Sequence, residues 1–310
     1  MDQAVVVIVA RLLIGLLCSA GIGTLAYRRG SLSTSGIAGA ILTGTLIFGF
    51  GGIVSGLLLI AFFVTSSVLS HYKATRKQAV ADLFDKGARR DLGQALANGG
   101  VATVCAVCGG LAVLSSSAIS LVVLCFVALT GALAAANADT WATELGVLSR
   151  TPPRLITRLS QVVVPGTSGG ITRTGTLAAV AGAGLIGLAN LVMQQISSLL
   201  FAAGHTSWLV LYNGRMPGFW LACLILIAAL AGGVGGTLID SLLGATVQIM
   251  YYSVGRDKPT EKAFERDGTP NRRLRGWAWL NNDWVNLIST LCGAGISVAV
   301  TATLYSGFGA

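Results

Sequence analysis

Long apolar runs separated by short polar segments make up almost the whole chain. About 20 apolar residues cross a bilayer core as a helix, and runs of this length are too continuous for the alternating strands of a membrane β-barrel. The pattern therefore predicts an all-α fold, a polytopic transmembrane helical bundle with about seven to nine membrane segments. We place these segments near residues 4–26, 35–48, 53–70, 95–114, 119–138, 176–200, 217–249 and 285–306.

Two of the predicted segments differ from a simple membrane span. Segment 35–48 is short and rich in glycine, so it can form a re-entrant pair with segment 53–70. Segment 217–249 is too long for one crossing, and we expect it to break near Gly232-Gly233 or Gly235-Gly236, because glycine permits strained backbone. We treat the chain as a single integral membrane domain, residues 1–310, with polar loops near 71–94, 147–175 and 251–283.

The composition and the charge pattern agree with a membrane location. Hydrophobic residues are 54% of the chain and charged residues 11%, against about 25% charged residues in soluble domains. Of the 21 Lys and Arg residues, 19 lie in alternate polar segments, which share one membrane face if the N-terminus is outside. Because cytoplasmic loops are enriched in basic residues, we expect this face to be cytoplasmic, in a prokaryotic plasma membrane. The net charge of +9 then reflects loops beside the lipid bilayer and implies no nucleic acid partner.

Two acids lie at the end of the fifth apolar segment, in the sequence NADTWATELG at residues 137–146. A carboxylate at membrane depth costs a few kcal/mol, so it indicates a functional site. On an ideal helix Asp139 and Glu144 are about 140° apart, so they border one cleft or the helix unwinds between them. Asn137 and Thr140 share the polar half of this helix. The alternative is an interfacial helix end whose acids are solvated.

A similar pair of an acid and a hydroxyl follows in GGVGGTLIDSLLGATVQ, residues 232–248. Asp240-Ser241 matches Asp139-Thr140, and a divergent internal repeat would give this pattern. Mg²⁺ binds through one or two carboxylates together with phosphate oxygens and water. We therefore predict a magnesium site with Asp139, Glu144 and Asp240 as metal ligands. The same three acids are the candidate catalytic residues, and any of them could act as a general base.

The segment VVVPGTSGGITRTG, residues 162–175, has the residue types of a phosphate-binding loop. Glycines let backbone N–H groups approach an anion, hydroxyls add donors, and a helix starting at about 172–176 would add its dipole. The alternative is an ordinary loop that precedes a helix. The chain contains no GK[ST] sequence, which excludes a P-loop ATPase. The predicted phosphate contacts are Gly166, Thr167, Ser168, Gly169, Gly170 and Arg173.

Two further segments place polar groups where the chain enters the membrane. In GARRDLGQALANGG (87–100), Arg89, Arg90 and Asn98 are candidate phosphate contacts, and charge-paired loop residues are the alternative. In RRLRGWAWLNNDWVNLISTLCG (272–293), Asn282 and Asn286 begin a polar stripe that we expect to face the bundle interior and the nucleotide. The tryptophans of this segment are expected to be interfacial anchors; they are Trp277, Trp279 and Trp284.

Taken together, these motifs resemble those of the transmembrane protein 19 / phytyl-phosphate kinase family. Six collinear segments carry the resemblance over nearly the whole chain: AYRRGSLSTSG, GARRDLGQALANGG, NADTWATELGVLSR, VPGTSGGITRTGTLAA, LIDSLLGATVQ and RGWAWLNNDWVNL. The resemblance implies a poly-helical membrane kinase that converts phytyl phosphate to phytyl diphosphate and prefers CTP. It also implies that Asp139-Thr140, Asp240-Ser241 and Glu144 are the metal and nucleotide residues.

One segment departs from the pattern of this family. Relatives often carry Cys and His residues between the last two spans, whereas residues 251–270 of this chain contain neither. A metal site there is therefore not expected, and contact of its basic residues with a nucleotide stays open.

The leading hypothesis is a membrane kinase that uses Mg²⁺ and CTP, or another nucleotide, to phosphorylate a polyprenyl or phytyl monophosphate. Cytidylyl transfer to a lipid phosphate requires the same groups, so the residues do not separate the two reactions. A secondary transporter of an anionic or lipid substrate is the alternative from another class, because broken glycine-rich helices are typical of transporters. The depth of the acids distinguishes them, since transporter sites lie near the midplane.

Overall fold

The computed structural model describes residues 3–75, 77, 89–115, 119–200, 218–255, 257–265 and 267–306. The segment 201–216, between two of the predicted membrane segments, lies outside these residues, as do Arg76, Lys86, Arg215, Arg256 and Arg266. In the described part, seven helices are long and apolar enough to cross a membrane, which confirms the predicted bundle. They are α1 (Gln3–Arg28), α2 (Thr34–His71), α3 (Leu92–Leu114), α4 (Ile119–Gly146), α5 (Arg173–Leu200), α6 (Gly218–Thr246) and α7 (Asn282–Ser306).

Helix α2 folds back on itself at Gly52, whose φ of 80° and ψ of −176° break the helix. A straight helix of 38 residues would be about 57 Å long. Instead, both ends of α2 meet the same residue: the Ser33 N–H donates to the Arg90 carbonyl at 2.9 Å, and Arg90 Nη1 lies 3.5 Å from the Ser67 hydroxyl. The two arms are therefore antiparallel, which confirms the predicted pairing of segments 35–48 and 53–70.

Helix α6 is continuous from Gly218 to Thr246, so the predicted break at its glycines is wrong. These glycines allow neighbouring helices to approach closely. A Cβ atom at Gly236 would lie 2.6 Å from the Ala135 Cβ of α4, and one at Gly235 would lie 2.6 Å from Ile296 of α7. Small residues at such contacts are typical of membrane helices, and an unbroken helix keeps every backbone polar group paired in lipid.

Helix α4 is the central helix of the bundle and packs against α2, α3, α5, α6 and α7. All residues from 131 to 138 are buried. Its Asn137 links three helices, because Oδ1 accepts hydrogen bonds from the hydroxyls of Thr65 and Ser66 in α2 and Nδ2 donates to the Gly182 carbonyl of α5 at 2.8 Å. This network fixes the rotation of α4 just before Asp139.

From α4 to α7 the fold twice has the same arrangement of helix, three-stranded antiparallel sheet and helix. The first unit is α4, a sheet of order β2-β1-β3, and α5; the second is α6, a sheet of order β5-β4-β6, and α7. This agrees with the repeat of the acid and hydroxyl pairs, one in α4 and one in α6. The sheets were not predicted; their strands are β1 (Arg154–Leu155), β2 (Arg158–Val162), β3 (Gly170–Ile171), β4 (Met250–Ser253), β5 (Lys258–Thr260) and β6 (Arg272–Arg275).

Replacing Gly236 by alanine is expected to destabilise the protein. The new Cβ would lie 2.6 Å from Ala135 Cβ and 2.8 Å from the Ser289 carbonyl oxygen, and overpacking of this kind costs about 1–3 kcal/mol. Gly295→Ala in α7 is the matched control, since nothing lies within 4 Å of its Cβ position. Thermal unfolding in detergent should show a lower Tm for Gly236→Ala only. Equal Tm values in the two variants would contradict the close contact between α4 and α6.

Candidate functional site

A cavity of about 530 Å³ opens where the C-terminal ends of α4 and α6 meet the loops that follow them. The N-terminal parts of α3, α5 and α7 complete its wall, so the cavity lies at the end of the bundle that carries the basic segments. All but three of the predicted site residues line it. These are Arg90, Asn98, Asp139, Thr140, Glu144, Gly166, Thr167, Ser168, Gly169, Gly170, Asp240, Ser241, Asn282 and Asn286.

Three predicted site residues do not line the cavity. Arg89 and Arg173 are exposed elsewhere on the same end of the bundle. Asn137 is fully buried, and its amide is occupied by the contacts with α2 and α5 described above. The prediction of phosphate contact by Asn137 is therefore wrong, because its polar atoms hold the helices together.

Asp139 and Asp240 face each other across the cavity from α4 and α6. Their carboxylates are close enough to interact electrostatically. Within the described residues, Asp240 Oδ2 is buried without a hydrogen-bond partner. Two facing carboxylates and an unsatisfied buried oxygen favour a bound cation. Mg²⁺ fits this pair, since it prefers oxygen ligands and needs only one or two carboxylates from the protein.

Glu144 is not part of this pair, although α4 remains helical through both of its acids. Its Oε2 forms an ion pair with Lys77 Nζ at 2.5 Å, and its Oε1 accepts a hydrogen bond from the Ser70 hydroxyl at 2.5 Å. Among the described residues, no group of three or more His, Cys, Asp or Glu side chains is placed to hold one metal ion. The three acids therefore do not form one cluster in the described part of the chain, and Glu144 is the counterion of Lys77.

Arg90 is the cation that the fold holds most firmly at the cavity. Its backbone bonds the 31–33 segment, with the Arg90 N–H donating to the Ser31 carbonyl at 3.0 Å. Its guanidinium lies 5.8 Å and 5.7 Å from the ring centroids of Phe62 and Phe63. Burial lowers the pKa of Arg90, and the charge of Glu144 partly offsets this effect. Arginine stays charged in proteins, so Arg90 presents a preorganised positive charge.

The loop PGTSGG, residues 165–170, is fixed against the end of α6. Gly166 and Gly169 have φ values of 87° and 81°, and the backbone of Gly169 packs directly on Ala245. Ser168 donates to Gln248 Oε1 at 2.6 Å, and Gln248 Nε2 donates to Glu261 Oε1 at 2.9 Å. Helix α5 starts at Arg173, as predicted. Such a loop before a helix N-terminus is typical of anion sites.

The lining residues that were not predicted as site residues include four polar or charged ones with contacts inside the site: Ser70, Lys77, Gln248 and Glu261. Ser70 and Lys77 reach Glu144 from 67 or more positions earlier in the chain, so no local pattern reveals them. At helical spacing Gln248 falls on the same side as Ser241 and Asp240, so the sequence pattern could have identified it as a site residue. Glu261 lies in a polar loop without a motif. Its contact with Gln248 arises only when β4 and β5 pair.

The tryptophans of the last polar segment form an exposed cluster beside the cavity. Trp277 and Trp279 stack with ring centroids 5.8 Å apart, and Trp279 meets Trp284 edge to face at 6.1 Å. Each is about half exposed. Exposed indole rings where helices leave the bilayer are typical of interfacial anchors.

Comparison with known proteins relates the whole chain to integral membrane proteins. The family described as Integral membrane protein DUF92 matches residues 17–294. Protein PGR of Arabidopsis thaliana is 35% identical over 287 residues, which cover 91% of this chain and 93% of that protein. The uncharacterized membrane protein MJ0933 of Methanocaldococcus jannaschii is 31% identical over 95% of this chain and 96% of its own length. Protein VTE6, chloroplastic, of Arabidopsis thaliana is 26% identical over 86% of this chain and 64% of that protein. No solved structure gives a significant match.

Proposed function

The chain belongs to the DUF92 family of integral membrane proteins, and from this membership and the chemistry of its cavity we propose that it is a nucleotide-dependent kinase. The proposed acceptor is a prenyl or phytyl monophosphate, the donor is CTP and the ion is Mg²⁺. The resemblance of six segments to the phytyl-phosphate kinase family supports this substrate class. The observation that carries the proposal is that one cavity is lined by the Asp139–Asp240 pair together with Arg90 and Lys77.

The proposed reaction is transfer of one phosphoryl group. A phosphate oxygen of the lipid monophosphate attacks the γ-phosphorus of CTP, the bond from this phosphorus to the β,γ-bridging oxygen breaks, and CDP leaves. The second pKa of a phosphate monoester is about 6, so at pH 7 the attacking oxygen carries no proton and no general base is required. Phosphoryl transfer then depends on positioning and on neutralising charge.

The residues of the cavity suit these two tasks. When bound, Mg²⁺ would neutralise the charge of the transferring phosphates, and Asp139 and Asp240 would hold it. Arg90 and Lys77 supply fixed positive charge in the part of the cavity near Glu144. The PGTSGG loop offers backbone N–H groups to a phosphate. Each of these groups lies on the cavity wall, so one bound nucleotide could reach all of them.

The two acids lie between the middle and the basic end of their helices. Asp139 is seven residues before the end of α4 and Asp240 six residues before the end of α6, which is about 10 Å from that end of each helix. Asp240 therefore lies nearer to the basic end of α6 than to its middle, and Asp139 lies about midway between the middle and the basic end of α4. The positive charge of these loops supports a cytoplasmic position for the cavity, where nucleotides are available.

A product assay tests the proposal. The purified protein would be mixed with phytyl or geranylgeranyl monophosphate, Mg²⁺ and each nucleoside triphosphate in turn, with EDTA as the control. We expect a lipid diphosphate and a nucleoside diphosphate, formed fastest with CTP and lost with EDTA because the phosphates then lack their cation. Release of pyrophosphate with a nucleotidyl lipid would replace the proposal by cytidylyl transfer. Consumption of no nucleotide with any prenyl phosphate would overturn both.

A further inference from the structure

One part of the cavity wall is apolar and reaches the outer surface of the bundle. It consists of Thr176 and Ala179 of α5 and Val234 and Leu238 of α6. Leu238 lines the cavity and is also 43% exposed, and Thr176 is exposed as well. The cavity is therefore continuous with the outside between these two helices. We call this opening the α5–α6 crevice.

The crevice opens towards lipid and not towards water. Leu238 is eight residues before the end of α6, and Ala179 is six residues after the start of α5, so both lie about 9–12 Å inside the bundle. The neighbouring surface is apolar, since Leu177 is 71% exposed and Leu242 is 44% exposed. Exposed leucines on helices of this hydropathy face the acyl chains of the bilayer.

Deeper in the membrane the two helices close this path. A Cβ atom at Gly187 would lie 2.8 Å from Leu226 Cδ1 and 3.1 Å from Ala229 Cβ, and Gly233 packs directly on Ala183. No space for a ligand remains between helices at such contacts. An apolar chain that starts at the acids therefore cannot continue up the inside of the bundle between α5 and α6, and must turn out into the bilayer.

The size of the cavity leads to the same conclusion. Its volume of about 530 Å³ is within the range of about 300–1,000 Å³ that holds one small-molecule ligand. A nucleotide fills a space of that size, so a long isoprenoid chain cannot be enclosed with it. Leu238 and Asp240 lie on different sides of α6 but both line the cavity, so the crevice and the acid pair border the same space, where the phosphate of the acceptor would lie.

We propose that the apolar chain of the acceptor leaves the cavity through the α5–α6 crevice and lies in the bilayer, with Ala179, Val234 and Leu238 contacting its first carbons. This inference rests on the proposed function for the identity of the chain. The substrates would then be amphiphiles that lie in the membrane and enter the cavity laterally from the bilayer. It also makes Leu238 a specificity-determining residue, because its side chain forms the outer edge of the opening.

Photo-crosslinking tests the crevice without relying on catalysis. Geranylgeranyl monophosphate with a diazirine near the phosphate end would be irradiated with the purified protein in lipid nanodiscs, and labelled peptides would be identified by mass spectrometry. We expect labelling within residues 176–179 and 234–238 that unlabelled geranylgeranyl monophosphate suppresses. Labelling of other helices, or labelling that the competitor does not reduce, would overturn the proposal.

Two matched variants sharpen this experiment. Leu238→Trp narrows the crevice and should lower competitor-sensitive labelling about five- to 100-fold, the range in affinity that corresponds to the cost of overpacking. Leu242→Trp is the control, because Leu242 has similar exposure on the same helix but does not line the cavity. Equal labelling of the two variants would overturn the role of Leu238. Failure of the kinase assay with intact crosslinking would instead reject the proposed reaction and leave the crevice standing.

Discussion

Asp139→Asn and Asp240→Asn should each lower the rate of lipid phosphorylation at least about a thousand-fold, the scale on which charge-neutralising groups contribute to phosphoryl transfer. Each substitution removes one of the two facing carboxylates while keeping the size of the side chain. The remaining acid would hold a divalent cation more weakly and with a different position relative to the phosphates. Because the two acids act as a unit, the double variant should be hardly slower than either single variant.

The same substitutions should not unfold the protein. Two buried carboxylates that face each other destabilise the fold in the absence of a cation, so each variant should have a Tm equal to or higher than the wild type when Mg²⁺ is omitted. Asp267→Asn is the control, since Asp267 is exposed and lies outside the cavity. Steady-state rates and thermal unfolding of the same preparations measure both effects. Wild-type rates in both variants would reject the metal site.

Arg90→Gln should lower kcat/KM roughly 100-fold, because a charge-assisted hydrogen bond to a phosphate contributes about 1.5–3 kcal/mol. The neighbouring Arg89→Gln should stay within about twofold of the wild type, since Arg89 is exposed and does not line the cavity. Arg90→Lys should recover only part of the loss, because lysine cannot reproduce the planar guanidinium that lies beside Phe62 and Phe63.

Comparing the Arg89 and Arg90 variants distinguishes a specific contact with the phosphate from a general electrostatic attraction of anions. Both variants lose one positive charge from the same segment, so a long-range electrostatic effect would lower kcat/KM equally in the two. The backbone of Arg90 bonds the 31–33 segment in either case, and equal Tm values would verify that this contact persists. Equal losses in the two variants would remove Arg90 from the phosphate site.

The sequence predicted the helical bundle and most of the cavity wall for a clear physical reason. Apolar runs long enough to cross a bilayer have few alternatives, and an acid inside such a run is costly unless it has a function. The sequence also predicted the fold-back at Gly52, because segment 35–48 is short, rich in glycine and directly followed by segment 53–70. The acid pairs at Asp139 and Asp240 pointed to the same site through their repeated pattern.

Other features depend on contacts between distant residues, which no local pattern contains. The glycines of α6 suggested a break, yet the same residues serve to pack against Ala135 and Ile296. Glu144 resembled a metal ligand, and only the approach of Lys77 from another segment identifies it as a counterion. The six strands are at most five residues long and show no regular alternation, so their pairing could not be predicted.

The most direct test of the central proposal follows the phosphate of the donor. The purified protein in nanodiscs would receive geranylgeranyl monophosphate, Mg²⁺ and CTP labelled either at the γ-phosphate or at the α-phosphate. A kinase transfers the γ-label to the lipid diphosphate and leaves the α-label in CDP, and we expect this result for the wild type and its loss in Asp139→Asn. Appearance of the α-label in the lipid, or of neither label, would contradict the proposal.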